Sequence, residues 1–192
     1  MDTFEYITAL VAVLIGLAIA DLATSLHRLL RHRQTVRWDW VAPLAALLIL
    51  VDLFNLWWRW RGFTGTTMSE VAPYFVALIL IYLAASITLP DEVPADGVDL
   101  GQYFDENRSY FWFIYTSFVA VILTLMTLRR IAEGWSAADL WSTYYFDFLF
   151  IAVGYGMMFV RQRWISGAVI GATLLWLLWG LDVWNRMPDS PH

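Results

Sequence analysis

Apolar residues gather along this chain in six long stretches that carry almost no charge. A helix needs about 20 mostly apolar residues to cross the hydrocarbon core of a membrane, which is roughly 30 Å thick. Because each stretch is close to that length, the pattern predicts six membrane-spanning helices. The predicted spans are residues 6–27, 40–58, 71–90, 110–128, 140–160 and 164–181.

The polar segments between these spans are short, and two of them hold helix-start signals. Asp39 precedes the second span, and Ser136 with Asp139 three residues later has the pattern of a capping box before the fifth. Because no connection is long enough for a separate domain, neighbouring helices must be antiparallel. We therefore expect residues 1–192 to form one all-α domain, a polytopic transmembrane bundle of six helices. The longest loop divides the spans into three and three, which suggests a weak internal repeat.

Composition supports the membrane assignment and excludes several other classes of protein. The chain is 60% hydrophobic and 15% charged, with a mean hydropathy of +0.58, which is well above the range of soluble domains. A net charge of -5 argues against a nucleic-acid partner. Cysteine and lysine are both absent from the sequence, so disulfides, thiolate metal sites and Schiff-base chemistry are excluded.

The distribution of arginine predicts an orientation in the membrane. Seven arginines follow the first, third and fifth spans, and five lie on the other side. Since the more basic side of a membrane protein usually faces the cytoplasm, we expect both ends of the chain to lie outside the cytoplasm. The first loop is the most basic, and we expect its arginines to contact anionic lipid headgroups or an acidic partner. These residues are Arg28, Arg31, Arg33 and Arg37.

Small residues mark two candidate faces for helix packing. Gly16 is the centre of a stripe of alanine and threonine residues spaced by four in the first span, and the sixth span holds Gly167 and Gly171. Small residues permit the close backbone approach that stabilises helix pairs in lipid. We expect these glycines to lie at helix contacts, either within one chain or between the subunits of a homo-oligomer or a larger complex.

Three aspartates interrupt otherwise apolar spans: Asp21, Asp52 and Asp147. An ionisable residue inside a membrane costs free energy, so each of them is a candidate for function. Asp52 is the most informative, because Asn55 at i+3 and Arg59 at i+7 lie on the same face of the second span.

These aspartates have two interpretations. In the first, the three carboxylates form a path for protons or another small ion, and the protein is a small oligomeric channel or transporter. In the second, they form structural pairs that fix the helix register, with Tyr144, Tyr145 and Tyr155 as available donors. A non-catalytic accessory or assembly subunit of a larger membrane complex is the alternative function, and an intramembrane enzyme acting on lipid is a third.

No pattern in the chain predicts a cofactor, a metal site or enzymatic activity. His27, His32 and His192 do not lie on facing helices as haem ligands would. The acidic loop after the third span lacks the spacing of an EF-hand. No histidine lies near Ser86, Ser109, Ser117 or Ser142 in the sequence, as hydrolase chemistry would need. We expect a protein without cofactors whose partners are membrane lipids and other membrane chains.

Several short stretches carry a resemblance to a known group of proteins. They are the opening MDTFEYI, the segment IADLATSLHR that ends at Arg28, the loop LPDEVP, and the later VDL and YFW. Together they resemble a family of small bacterial six-helix integral membrane proteins. The resemblance implies a location in the bacterial inner membrane, and it implies no activity, cofactor or catalytic residue.

Overall fold

The computed structural model describes the backbone of residues 3–60 and 68–185, and the side chains of residues 7–59 and 70–180. Six helices make up nearly all of these residues. They are α1 (Thr3–Arg31), α2 (Val41–Trp60), α3 (Met68–Thr88), α4 (Leu100–Ala132), α5 (Ala137–Met157) and α6 (Arg163–Asn185). The predicted all-α bundle of six helices is confirmed.

Within the described residues, five of the six helices are long and apolar enough to cross a membrane. The sixth, α5, has sufficient length, but Asp139, Asp147 and several hydroxyl-bearing residues lower its mean hydropathy. A membrane crossing by α5 therefore stays a prediction.

The helix ends follow from local capping. Asp99 is the N-cap of α4, and its carboxylate accepts hydrogen bonds from the backbone N–H groups of Gly101 and Gln102. Because of this cap, α4 begins at Leu100, well before the predicted span at residue 110. Similar caps start two other helices. Asp39 accepts from the N–H of residue 41 at the start of α2, and the predicted capping box at the start of α5 is confirmed.

A short parallel β-sheet joins two of the loops. The strands β1 (Val36–Arg37) and β2 (Val98–Asp99) pair in register, which links the segment after α1 to the segment after α3. Gly97 has a φ of +92°, and a Cβ there would lie 2.1 Å from the backbone oxygen of Thr35. The turn therefore requires glycine. The side of the bundle that carries this sheet and the loop between α5 and α6 is called the sheet side below, and the other is called the opposite side.

Packing places α2, α3 and α4 at the centre of the bundle. The helix α3 packs against α1, α2 and α4, and α2 packs also against α1 and α6. The helix α5 packs on α4, and the principal neighbour of α6 is α2. The helix pairings in the second half of the chain thus differ from those in the first half.

The glycines predicted at helix contacts occupy different surroundings. Gly167 lies against the ring of Trp40, where a Cβ would come within 2.1 Å of the indole, and Gly171 faces Leu44 at 3.8 Å. Gly16 has nothing within 4 Å of the position of its missing Cβ. It lines an apolar groove of about 690 Å³ between α1, α2 and α6, together with residues such as Ala12.

Candidate functional site

The polar centre of the bundle is a hydrogen bond between Asp52 of α2 and Tyr115 of α4. The hydroxyl of Tyr115 donates to Oδ2 of Asp52 over 2.7 Å. The tyrosine is 1% exposed. Its ring stacks on Phe111 at a centroid distance of 5.8 Å and meets the edge of Phe150 at 6.2 Å. This aromatic packing holds the donor in place.

Arg59 lies within electrostatic range of Asp52 and of a second carboxylate. The arginine extends from α2 towards α4, where its Nη1 lies 3.9 Å from the sulfur of Met126. Its guanidinium interacts electrostatically with both Asp52 and Asp147. Asp147 is partly buried on the face of α5 that also carries the buried Tyr144. The centre therefore combines two carboxylates with one permanent cation.

Asp21, the third aspartate of the predicted set, belongs to a separate cluster. It interacts electrostatically with Arg28 of its own helix and with Asp91 in the loop after α3. The hydroxyl of Ser25 donates to Oδ1 of Asp91 over 3.4 Å, and Arg28 donates to the backbone carbonyl of Asp91. The structure thus brings Asp52 and Asp147 to a shared arginine and places Asp21 with other partners near the sheet side.

The four arginines of the first loop have unequal surroundings. Arg28 donates to the backbone carbonyl of Asp91, and Arg37 pairs with Asp99 across the small sheet at 3.5 Å. Arg31 and Arg33 are exposed. The pKa of Asp99 lies below its usual value, because the backbone N–H of residue 102 donates to the carboxylate, with further contributions from the N–H of residue 101 and from nearby arginines.

A network of charges on the sheet side ties three helices together. Arg163, at the start of α6, donates from Nη2 to Oδ2 of Asp105 in α4 over 2.7 Å and from Nη1 to Oδ2 of Asp39 over 3.1 Å. A Cβ on Gly101 would lie 2.0 Å from Nη1 of Arg163. Glycine at that position therefore leaves room for the arginine. We call Arg163, Asp39 and Asp105 the sheet-side latch.

Sequence reasoning missed two parts of this arrangement. The donor to the half-buried carboxylate of Asp52 is Tyr115, whereas Tyr155 contacts the hydroxyl of Ser117 at 3.1 Å and Tyr144 packs with Leu123 of α4. A tyrosine in the middle of an apolar span was the available signal for the donor. The latch gave no local signal, since Asp39 and Arg163 are 124 residues apart.

No group of three or more histidine, cysteine or acidic residues that could hold a metal ion occurs in the described part of the chain. Comparisons with known proteins add no assignment. No family model matches the chain, and no curated protein or solved structure shows significant similarity to it. The chemistry of the centre must therefore be argued from its geometry.

Proposed function

We propose that this multi-pass membrane protein moves protons, or another small cation, across the membrane and that Asp52 is the group that binds the cation. The hydrogen bond between Asp52 and Tyr115 carries the proposal. An ionised carboxylate inside a membrane costs several kcal/mol unless its charge is compensated. One neutral hydroxyl donor compensates only part of that charge, so the carboxylate favours the binding of a cation.

The groups around Asp52 favour a proton over a metal ion. Metal ions such as Ca²⁺ need about six to eight oxygen ligands. One turn away towards the sheet side, the neighbours are the apolar side chains of Ile49 and Phe111, both 1% exposed or less. The hydroxyl of Tyr115 is already directed at Asp52. The permanent positive charge of Arg59 also opposes the binding of a metal cation beside it.

Transport by the purified protein in liposomes tests this proposal. A pH gradient is imposed across the liposome membrane, and proton flux is followed with a trapped pH-sensitive dye. We expect Asp52→Asn to reduce flux to the level of protein-free liposomes, because the amide cannot bind a proton reversibly. Asp96→Asn is the matched control, since it removes an exposed carboxylate from the loop after α3.

Two results would contradict the proposal. One is a wild-type flux that equals that of protein-free liposomes under gradients of protons, Na⁺ and K⁺. The other is an Asp52→Asn variant that folds and retains the wild-type rate. Asp147→Asn is expected to slow flux rather than abolish it, because Asp147 acts on Asp52 only through the electrostatic interaction that both have with Arg59.

The alternative role as an accessory or assembly subunit has one supporting observation. On α1, Ala12, Gly16 and Ala20 are exposed, and the first two line the apolar groove between α1, α2 and α6, where small residues favour a partner helix. Native mass spectrometry after mild extraction distinguishes the two roles. A mass that is a multiple of 22.2 kDa favours a self-contained transporter, and a larger heteromeric mass favours the subunit.

In either role we place the protein in the bacterial inner membrane with the more basic sheet side towards the cytoplasm.

A further inference from the structure

The surroundings of Asp52 differ on the two sides of the bundle. On α2 towards the sheet side, the residues on the same face are Ile49, Leu48 and Ala45, and each is 0% exposed. Towards the opposite side, that face carries Asn55 and Leu56, which are partly exposed, and then Arg59, which is exposed. The carboxylate therefore has dry, packed side chains on one side and a partly polar, increasingly accessible surface on the other.

The facing helix α4 is apolar on both sides of Tyr115 and is most tightly buried towards the sheet side, since Phe118, one turn towards the opposite side, is 5% exposed. One turn from Tyr115 towards the sheet side, Phe111 is 1% exposed and Trp112 is 0% exposed. The indole N–H of Trp112 donates to the hydroxyl of Ser166 in α6 over 3.4 Å, and Ile170 of α6 is also 0% exposed. The helices α2, α4 and α6 thus enclose an apolar plug between Asp52 and the sheet side.

The sheet-side latch lies beyond this plug. Arg163 joins the first residues of α6 to Asp39 at the start of α2 and to Asp105 near the start of α4. The hydroxyl of Ser109 also donates to the backbone carbonyl of Met158 over 2.8 Å, which fastens α4 to the loop before α6. These bonds hold together the helix ends that would have to separate for water to reach the plug.

We infer that Asp52 exchanges its cation only with the opposite side in this conformation, along Asn55 and Arg59, and that the sheet-side latch is the gate that closes the other route. This inference rests on the proposed function, because it assigns an entry side and a gate to the same carboxylate. A carrier with one closed side is the arrangement that alternating access requires.

The absence of cysteine from the sequence permits a direct test. Single cysteines replace Asn55 and Leu48, which lie seven positions apart on one face of α2. Arg33→Cys and Ala132→Cys serve as markers, since both positions are exposed, the first on the sheet side and the second on the opposite side. A membrane-impermeant, positively charged methanethiosulfonate reagent is added to either side of sealed vesicles, and the modified fraction is measured by mass spectrometry.

We expect the cysteine at position 55 to react at least about tenfold faster from the side that modifies position 132 than from the side that modifies position 33, because thiol reactivity follows exposure to water. The cysteine at position 48 is expected to be unreactive from both sides. Equal rates at position 55 from the two sides, or rapid reaction at position 48 from the sheet side, would overturn the assigned entry side.

The gate is tested by adding Arg163→Gln to the Leu48→Cys variant. We expect this second change to make position 48 reactive from the sheet side. Arg161→Gln is the matched control, because that arginine is exposed in the short loop just before α6. If Arg163→Gln folds and position 48 stays unreactive, the latch is not the gate.

These labelling rates do not depend on whether flux is measurable. Loss of the proposed transport with one-sided labelling intact would reject the function while keeping the access route. Normal transport with labelling of position 48 in the wild-type background would reject the access route and keep the function. A thermal unfolding profile matching that of the parent confirms that each labelled variant is folded.

Discussion

The carboxylates of Asp52 and Asp99 have opposite surroundings. Asp99 is compensated by two backbone N–H groups, by Arg37 and by the nearby Arg163, and it lies outside the membrane spans. Among the residues that the structure describes, Asp52 has a single hydroxyl donor, and its nearest charged neighbour on α2 is Arg59, two turns away. An aspartate side chain therefore serves as a helix cap at position 99 and as a candidate cation-binding group at position 52.

Tyr115→Phe tests the role of the donor without disturbing the aromatic packing. We expect the variant to keep the fold and to lose about 1 kcal/mol of stability, which is the scale of a side-chain hydrogen bond in a membrane bundle. Unfolding in a mixed-micelle titration measures this loss. A double-mutant cycle with Asp52→Ala is the control, because an asparagine oxygen could still accept from Tyr115, and a coupling free energy of zero would show that the hydrogen bond contributes nothing.

Asp99 predicts a response to acid at the start of α4. Because its folded pKa lies below the unfolded value of about 4, its contribution to stability is fully present above that value and is lost as the pH falls through the folded pKa. We expect the amides of Gly101 and Gln102 to lose protection from hydrogen exchange over that range. In Asp99→Asn the protection should not change with pH, and a change equal to that of the wild type would contradict the assignment.

At the level of helices, the hydropathy pattern predicts six elements because the membrane demands long apolar helices. It marks the apolar part of α4, from residue 110, and does not register the polar turns from Leu100 onwards that the Asp99 cap begins. The capping box at Ser136 was predictable because its hydrogen bonds are local. The β-sheet was not, since Val36 and Val98 pair across two helices.

The candidate site was only partly predictable, because the sequence shows spacing within one helix but not contacts between helices. The helical repeat places Asp52, Asn55 and Arg59 on one face of α2, so this stripe could be predicted. The division that puts Asp147 with Arg59 and leaves Asp21 elsewhere depends on which helices pack together. Spacing within one span carries no information about that packing.

Two glycines of α5 give a matched pair of variants at the α4–α5 contact. A Cβ on Gly154 would lie 2.4 Å from Oγ1 of the fully buried Thr116, whereas Gly156 has nothing within 4 Å. Gly154→Ala is expected to destabilise the protein by about 1–3 kcal/mol through overpacking. Gly156→Ala should be neutral or stabilising by up to about 1 kcal/mol, because alanine favours a helix. Chemical unfolding measures both, and equal effects would show that the contact is not tight.

On the scale of the whole molecule, the course of α5 decides how the chain crosses the membrane. Contacts with α4 run along the length of both helices in antiparallel order. Near the opposite side Tyr144 packs with Leu123 of α4, and near the sheet side Ser109 donates to the carbonyl of Met158. A helix that lay flat on the membrane could not follow a spanning neighbour in this way, so the packing favours a sixth crossing despite the lower hydropathy of α5.

Cysteines at the two ends of α5 test that crossing. Ala132 and Gln162 are both exposed, the first at the end of α4 and the second just before α6. If α5 crosses, an impermeant thiol reagent modifies Ala132→Cys and Gln162→Cys from opposite sides of sealed vesicles, and the two ends of the described chain lie on one side. If both positions react from the same side, α5 does not cross, Asp147 lies near the membrane surface, and its charge no longer needs Arg59 for compensation. The sidedness of this one helix therefore determines whether the second carboxylate is part of an intramembrane site.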